Sequence, residues 1–72
     1  MNESQLLIRF GLKIRMLRNA RGLSQQELSE KSGLHRTYIS MVERGEKNVT
    51  LISLNKLATG LNLPLEDLVK NL

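Results

Sequence analysis

Apolar side chains in this 72-residue chain recur at steps of three and four almost from end to end, and no stretch reads as a strand. That periodicity predicts an all-α fold. Leu7, Phe10, Ile14 and Leu17 form one stripe of a first helix, which Gly22 closes, because glycine enters the left-handed conformation without a Cβ penalty. Ser24 and Glu27 have the spacing of a capping box, in which the serine hydroxyl accepts from the third helical amide and the carboxylate reaches back. A second helix therefore starts there, runs through Leu28 to about Ser32 and stops at Gly33. A third begins near His35, turns Ile39 and Val42 inward and stops at Gly45. Thr50 caps a fourth, whose apolar face is Leu51, Leu54, Leu57, Ala58 and Leu61. Asn62 and Pro64 mark its end and the start of a last turn or two, Leu65 to Lys70, since proline suits a first helical turn and not an interior one. Five helices with short connections are expected, in one domain spanning residues 1–72.

A chain of this length buries about 60% of the surface it exposes when unfolded, enough for one modest core that a second copy can extend. There is no cysteine, which excludes disulfides and thiolate metal sites. The single histidine, His35, has no partner at ligand spacing, so neither a metal nor another cofactor is expected. With no carboxylate pair that has a reason to be perturbed, a catalytic constellation is hard to assemble, and an enzyme is not predicted. One Phe and one Tyr offer no stacking platform for RNA. No apolar run approaches the roughly 20 residues of a membrane span and no basic-then-apolar leader opens the chain. The sequence thus predicts a cytoplasmic protein with no membrane partner. Eleven Lys and Arg against seven Asp and Glu leave a net charge of +4. Arg9, Lys13, Arg15, Arg18 and Arg21 follow one another with no acid between them, while Glu27, Glu30, Glu43, Glu46, Glu66 and Asp67 come later. A basic excess of this kind makes nucleic acid a candidate partner, although solvated helix charges look the same in a composition.

Between about residues 24 and 44, one helix closed by glycine and a second following after a tight turn make a helix-turn-helix, whose second helix can lie in a major groove about 12 Å wide. Three segments carry a family resemblance: Gly22-Leu23-Ser24-Gln25-Gln26-Glu27-Leu28, Ser32-Gly33-Leu34-His35-Arg36-Thr37-Tyr38-Ile39-Ser40 and Val42-Glu43-Arg44-Gly45. They resemble the lambda-repressor/Cro-like helix-turn-helix family, also called the XRE family. Thr50 to Leu61 and Leu63-Pro64-Leu65-Glu66-Asp67-Leu68 extend the resemblance over nearly the whole chain. Within the family the chain looks most like the controller proteins of restriction-modification systems, free-standing domains of this size with an Arg-Thr-Tyr-Ile-Ser recognition helix. Ser29 stands where the family usually has alanine and Ser32 where a small apolar residue is common; both are small enough to pack in the helix-helix angle. The resemblance implies a five-helix lambda-repressor-like DNA-binding domain, acting in a bacterium or phage as a transcriptional regulator on double-stranded DNA.

Position on the second helix of the motif gives the residues their expected roles. Arg36 and Thr37 occupy its first turn and Ser40 the same face one turn on, where side chains reach base edges. Arginine can donate two parallel hydrogen bonds to guanine, and threonine can offer a methyl group to thymine or a hydroxyl bond. Small hydroxyl residues also sit harmlessly on helix surfaces. Tyr38 can stack on or bond to DNA, or pack half-buried on the first helix; His35 can cap the helix or touch DNA. Gln25, at a helix N-terminus, suits a phosphate, a role the resemblance also implies. Arg44, Lys47 and Asn48 fall where the chain should follow the sugar-phosphate backbone, or they belong to a solvated loop. For Arg18 and Glu43 the resemblance implies a structural salt bridge between helix one and the end of the recognition helix.

A single module of this size makes few base contacts, and symmetric dimers overcome that by spanning two half-sites. The region of about residues 49–72 is expected to supply the contact between copies: Leu65, Val69 and Leu72 as a stripe apart from core-facing Leu68, with Ile52 off the main stripe of helix four. The alternative for these leucines is ordinary core. Ile8, Leu12 and Met16 form a second leftover stripe on helix one with no assigned role. Glu27 and Glu30 either offer RNA polymerase an acidic patch or are solvated helix charges. The competing function is a protein-interaction module, antitoxin-like or adaptor.

Overall fold

The computed structural model describes residues 1–72. Four helices follow in order, α1 (Glu3–Ala20), α2 (Gln25–Ser32), α3 (Arg36–Glu43) and α4 (Leu51–Leu61), and a 3₁₀ turn over Leu65–Leu68 closes the fold. No strand forms. Three helix starts are capped by short polar side chains, which satisfy amides that have no partner within the helix. Asn2 and Gln5 exchange bonds at the start of α1, with Gln5 N donating to the Asn2 side chain at 2.8 Å and Asn2 N donating to Gln5 Oε1 at 3.0 Å. The expected capping box of α2 is present: Glu27 N donates to Ser24 Oγ at 3.0 Å and Ser24 N to Glu27 Oε1 at 2.9 Å. Thr50 Oγ1 accepts from Ser53 N at 3.0 Å. At the other end of α1, Gly22 adopts a φ of 69°, and Leu23 N turns back to Arg18 O at 3.1 Å.

The expected fifth helix is a single 3₁₀ turn. Pro64 stays extended as its cap; the amide of Asp67 returns to Pro64 O, and that of Val69 to Glu66 O, each three residues back. Asn71 then takes a φ of 62°. Glu66 O also accepts from Lys70 N at 3.0 Å, four residues on, but the left-handed Asn71 ends the segment there, so the turn does not grow into a helix.

The stripes read from the sequence converge on one core. Phe10 and Ile14 of α1 meet Ile39 and Val42 of α3, while Leu28 of α2 packs with Leu57, Ala58 and Leu61 of α4; Leu68 seals the open end, and all are buried. Leu51 departs from expectation, being 72% exposed. It opens α4 about 120° around the axis from Leu57, so the face that turns Leu57 inward turns Leu51 out.

Two glycines inside helices set how closely the layers approach. A Cβ on Gly11 would strike Val42 O and lie 2.7 Å from Glu43 O, so α1 rests directly on the backbone at the end of α3. On α4, a Cβ on Gly60 would lie 2.9 Å from both Leu28 Cδ1 and Ser32 Cβ of α2. No helix is long and apolar enough to cross a membrane.

Candidate nucleic-acid interface

The turn between α2 and α3 owes its shape to Gly33, at a φ of 78°, and to the two serines that depart from the usual pattern. Ser29 Oγ donates to Leu34 O at 2.6 Å, and Leu34 N donates to Ser32 Oγ at 3.2 Å. Both backbone groups of Leu34 are thereby satisfied at the corner, where neither helix can reach them. Ser29 and Ser32 act as polar braces here, beyond fitting by size.

Glu43, the last residue of α3, fixes the other end. Its side chain is fully buried and that of Arg18 is 12% exposed. Arg18 donates from Nε to Oε2 at 2.6 Å and from Nη2 to Oε1 at 3.0 Å, while its Nη1 donates to Leu23 O at 2.8 Å. Two further donors, which the sequence reading did not place here, converge on Oε1: Arg15 Nε at 3.3 Å and Gln25 Nε2 at 3.2 Å. Burial opposes ionisation of this carboxyl. The bonds from Arg18 and Gln25, the Arg18 charge and the bond from Arg15 outweigh it and hold Glu43 below the usual carboxylate range. One buried charge therefore ties α1, the start of α2 and the end of α3 together. The signal available in the sequence was spacing, since Arg15 lies one turn from Arg18 on the same face.

Between these two anchors α3 presents its outer face. Arg36 and Thr37, in its first turn, are exposed; Ser40 and Tyr38 are half-buried. Eight residues make a helix about 12 Å long, on the scale of the major groove. His35 occupies the N-cap position but makes no side-chain cap bond, so the capping role considered for it is not filled. An imidazole ring lacks the short reach with which a hydroxyl or carboxylate folds back onto the first amides. Tyr38 does pack against the core, and Lys47 Nζ stands 5.9 Å from its ring centroid. Arg44 donates from Nη1 to Ser40 Oγ and pairs with Glu46 through Nε and Nη2, at 3.1 and 3.2 Å. Contacts thus link Gln25 to the end of α3, Ser40 to Arg44, and Tyr38 to Lys47. Asn48 is exposed and borders a hollow with Glu3, Leu6 and Leu7 of α1.

The residues expected to join two copies separate into two surfaces. Ile52, 70% exposed, lines a shallow hollow with Leu51 and half-buried Leu65. Val69 is exposed, and Leu72 lies against Leu12 and Met16 of α1. Because the closing segment is one 3₁₀ turn, Leu65, Val69 and Leu72 do not share a helical stripe. Of the two acids on α2, Glu27 is held by the Ser24 backbone and hydroxyl, which lower its pKa, and Glu30 accepts from Gln26 at 3.3 Å. No group of three His, Cys, Asp or Glu side chains is placed to hold a metal ion.

Comparison with known proteins gives a consistent picture. The helix-turn-helix family model matches residues 14–68. The control protein C.SmaI of Serratia marcescens is 59% identical over 49 residues, which are 68% of this chain and 58% of that one. The control protein C.MunI of a Mycoplasma species is 37% identical over 70 residues, 96% of this chain and 95% of its own. The crystal structure of the restriction-modification controller protein C.AhdI from Aeromonas hydrophila superposes with a TM-score of 0.84 at 48% identity, covering 86% of this chain and 94% of that chain.

Proposed function

The chain belongs to the helix-turn-helix family of DNA-binding transcriptional regulators, and on that premise we propose that it is the controller protein of a restriction-modification system, reading a palindromic operator as a homodimer. The observation that carries this reading is the open first turn of α3. Arg36 and Thr37 stand exposed on a helix whose two ends are fixed by the serine-braced corner and by Glu43. Base contacts fall to Arg36, Thr37 and Ser40. Gln25, Tyr38, Arg44 and Lys47 sit where the flanking phosphates run, with His35 and Asn48 at the rim.

Size supports two copies. The longest dimension of the chain is 31 Å, whereas successive half-sites on one face of a duplex are about 34 Å apart, and each copy has one recognition helix. The hollow around Ile52 and Leu65 is the surface for that pairing, because a two-fold contact needs one self-complementary patch.

Selection of bound sites from random duplexes tests this reading. Enrichment of an inverted repeat with half-sites one helical turn apart is expected, with binding that weakens by several log units per log unit of salt. A single asymmetric site would remove the dimeric reading. Binding insensitive to salt and sequence would turn the assignment toward a protein-interaction module.

A further inference from the structure

Arg44 is engaged through each of its nitrogens before any partner arrives. All three of its nitrogens have an acceptor: Nε and Nη2 reach the two carboxylate oxygens of Glu46 at 3.1 and 3.2 Å, and Nη1 reaches Ser40 Oγ. This fork-to-fork geometry is the one a guanidinium uses for a phosphate. Glu46 is held in place by its backbone. Its N–H returns to Met41 O at 2.9 Å, and Gly45, at a φ of 75°, packs so tightly on α1 that an added Cβ would lie 2.9 Å from Ile8 Cα. The carboxylate therefore follows from the way α3 ends, on the same side as the residues assigned to DNA.

We propose that Glu46 is a restraint on DNA binding: it occupies the Arg44 guanidinium as a phosphate would, so that Arg44 reaches the DNA backbone only by leaving Glu46. The proposal rests on the reading of α3 as the recognition helix. Two consequences follow from the geometry. Affinity for any duplex is reduced by the exchange, which suppresses sequence-independent binding by a chain of net charge +4. Ser40 is also affected, because its hydroxyl oxygen accepts from Arg44 and leaves the O–H free to donate, toward a phosphate or a base acceptor. Hydrogen bonding to Glu46 raises the Arg44 pKa, as a formed pair requires.

Glu46→Gln tests the idea when it is made both in the wild-type chain and in an Arg44→Ala background, with binding to a selected operator and to an unrelated duplex measured by fluorescence anisotropy over a salt series. Both side chains are about half exposed, so the pair is weak, and Glu46→Gln is expected to tighten binding to both duplexes about two- to fivefold. Its log-log salt slope should steepen by up to about one unit, the amount one added phosphate contact supplies. In the Arg44→Ala background the same substitution should change affinity less than about twofold. An equal gain in both backgrounds would mean that Glu46 acts by repelling phosphates and would overturn the restraint, as would no gain in the wild-type chain. A wild-type chain that binds no duplex at all would instead remove the DNA reading beneath it. Circular dichroism on each variant keeps loss of fold separate from loss of binding.

Discussion

Arg18 of α1 grips Glu43 of α3 with two hydrogen bonds, at 2.6 and 3.0 Å, and spends its remaining nitrogen on the carbonyl of Leu23, which precedes α2. One guanidinium therefore fixes three parts of the helix-turn-helix. Replacing it by methionine leaves the Glu43 carboxylate buried without its main partner, a loss expected to cost about 3 to 5 kcal/mol in urea unfolding. Arg15 also reaches Glu43, but its side chain is 47% exposed, and Arg15→Met should cost less than about 1 kcal/mol. Equal losses for the two variants would contradict this division.

Acid should release the same anchor. Glu43 is held below its usual range in the folded chain, so near pH 4 and under the unfolded state binds more protons than the folded one, and stability rises with pH there. The contribution is complete above the ordinary glutamate pKa of about 4.3 and disappears as pH falls through the lowered folded value. Urea midpoints taken between about pH 2 and pH 6 should fall on the acid side, and fall less steeply in Glu43→Gln, which lacks that carboxyl but keeps Glu27, the other carboxyl held below its usual range. An unchanged acid limb in that variant would place the titration elsewhere.

Gly11→Ala should destabilise, against the usual rule. At an exposed position inside a helix, alanine in place of glycine gains up to about 1 kcal/mol. Here the new methyl group meets Val42 O and Glu43 O, which are backbone atoms and cannot rotate aside. Forcing α1 off α3 is expected to cost about 1 to 3 kcal/mol and to lower the melting temperature. Because the displaced carbonyls belong to the end of the recognition helix, DNA binding should weaken by more than the loss of stability explains. A rise in melting temperature would show that the two helices are not in contact at this point.

Features governed by local rules were legible in the sequence, and those that depend on approach in three dimensions were not. Ser24 and Glu27, Gly33, Thr50 and the stripe from Phe10 to Ile14 each act through neighbours three or four residues away, and each was placed. Gly11 went unread because a glycine inside a helical pattern looks like a weak helix former until its neighbour is known. Gln25 on Glu43, 18 residues away in sequence, has no local signature either, and the spacing of Arg15 from Arg18 shows a shared face but not the carboxylate 28 residues on. The short closing segment was overextended: Leu65, Val69 and Leu72 fit a helical stripe, but periodicity cannot tell one turn from two over so few residues. On the candidate site, helix periodicity was enough to give Arg36, Thr37 and Ser40 their positions along α3, whereas the engagement of Arg44 by Glu46 depends on the backbone turn at Gly45.

Base reading by Arg36 can be separated from backbone attraction. Its side chain is exposed at the first helical position of α3 and makes no hydrogen bond to another part of the chain, so it is free to pair with a guanine edge. Arg36→Ala should relax preference at one position of each half-site and weaken operator binding by about 1 to 3 kcal/mol, with little change in stability. Lys47→Ala should weaken all sequences alike and reduce the salt slope by about one unit. Uniform losses for Arg36→Ala would make it a phosphate contact.

Ile52 offers the most selective test of the proposed pairing of two copies. It is 70% exposed and contributes nothing to the core, whereas Leu65 beside it is half-buried against that core, so a charge at Leu65 would confuse unfolding with dissociation. Ile52→Glu places like charges across a two-fold contact and should give a folded monomer in sedimentation, with a melting curve close to that of the wild type at low concentration. Operator binding should then lose the advantage of two linked half-sites and fall toward the affinity of a single module. If the variant remains dimeric, the contact lies on another surface, and the exposed Leu12 and Met16 of α1, which flank Leu72, become the place to put the next charge.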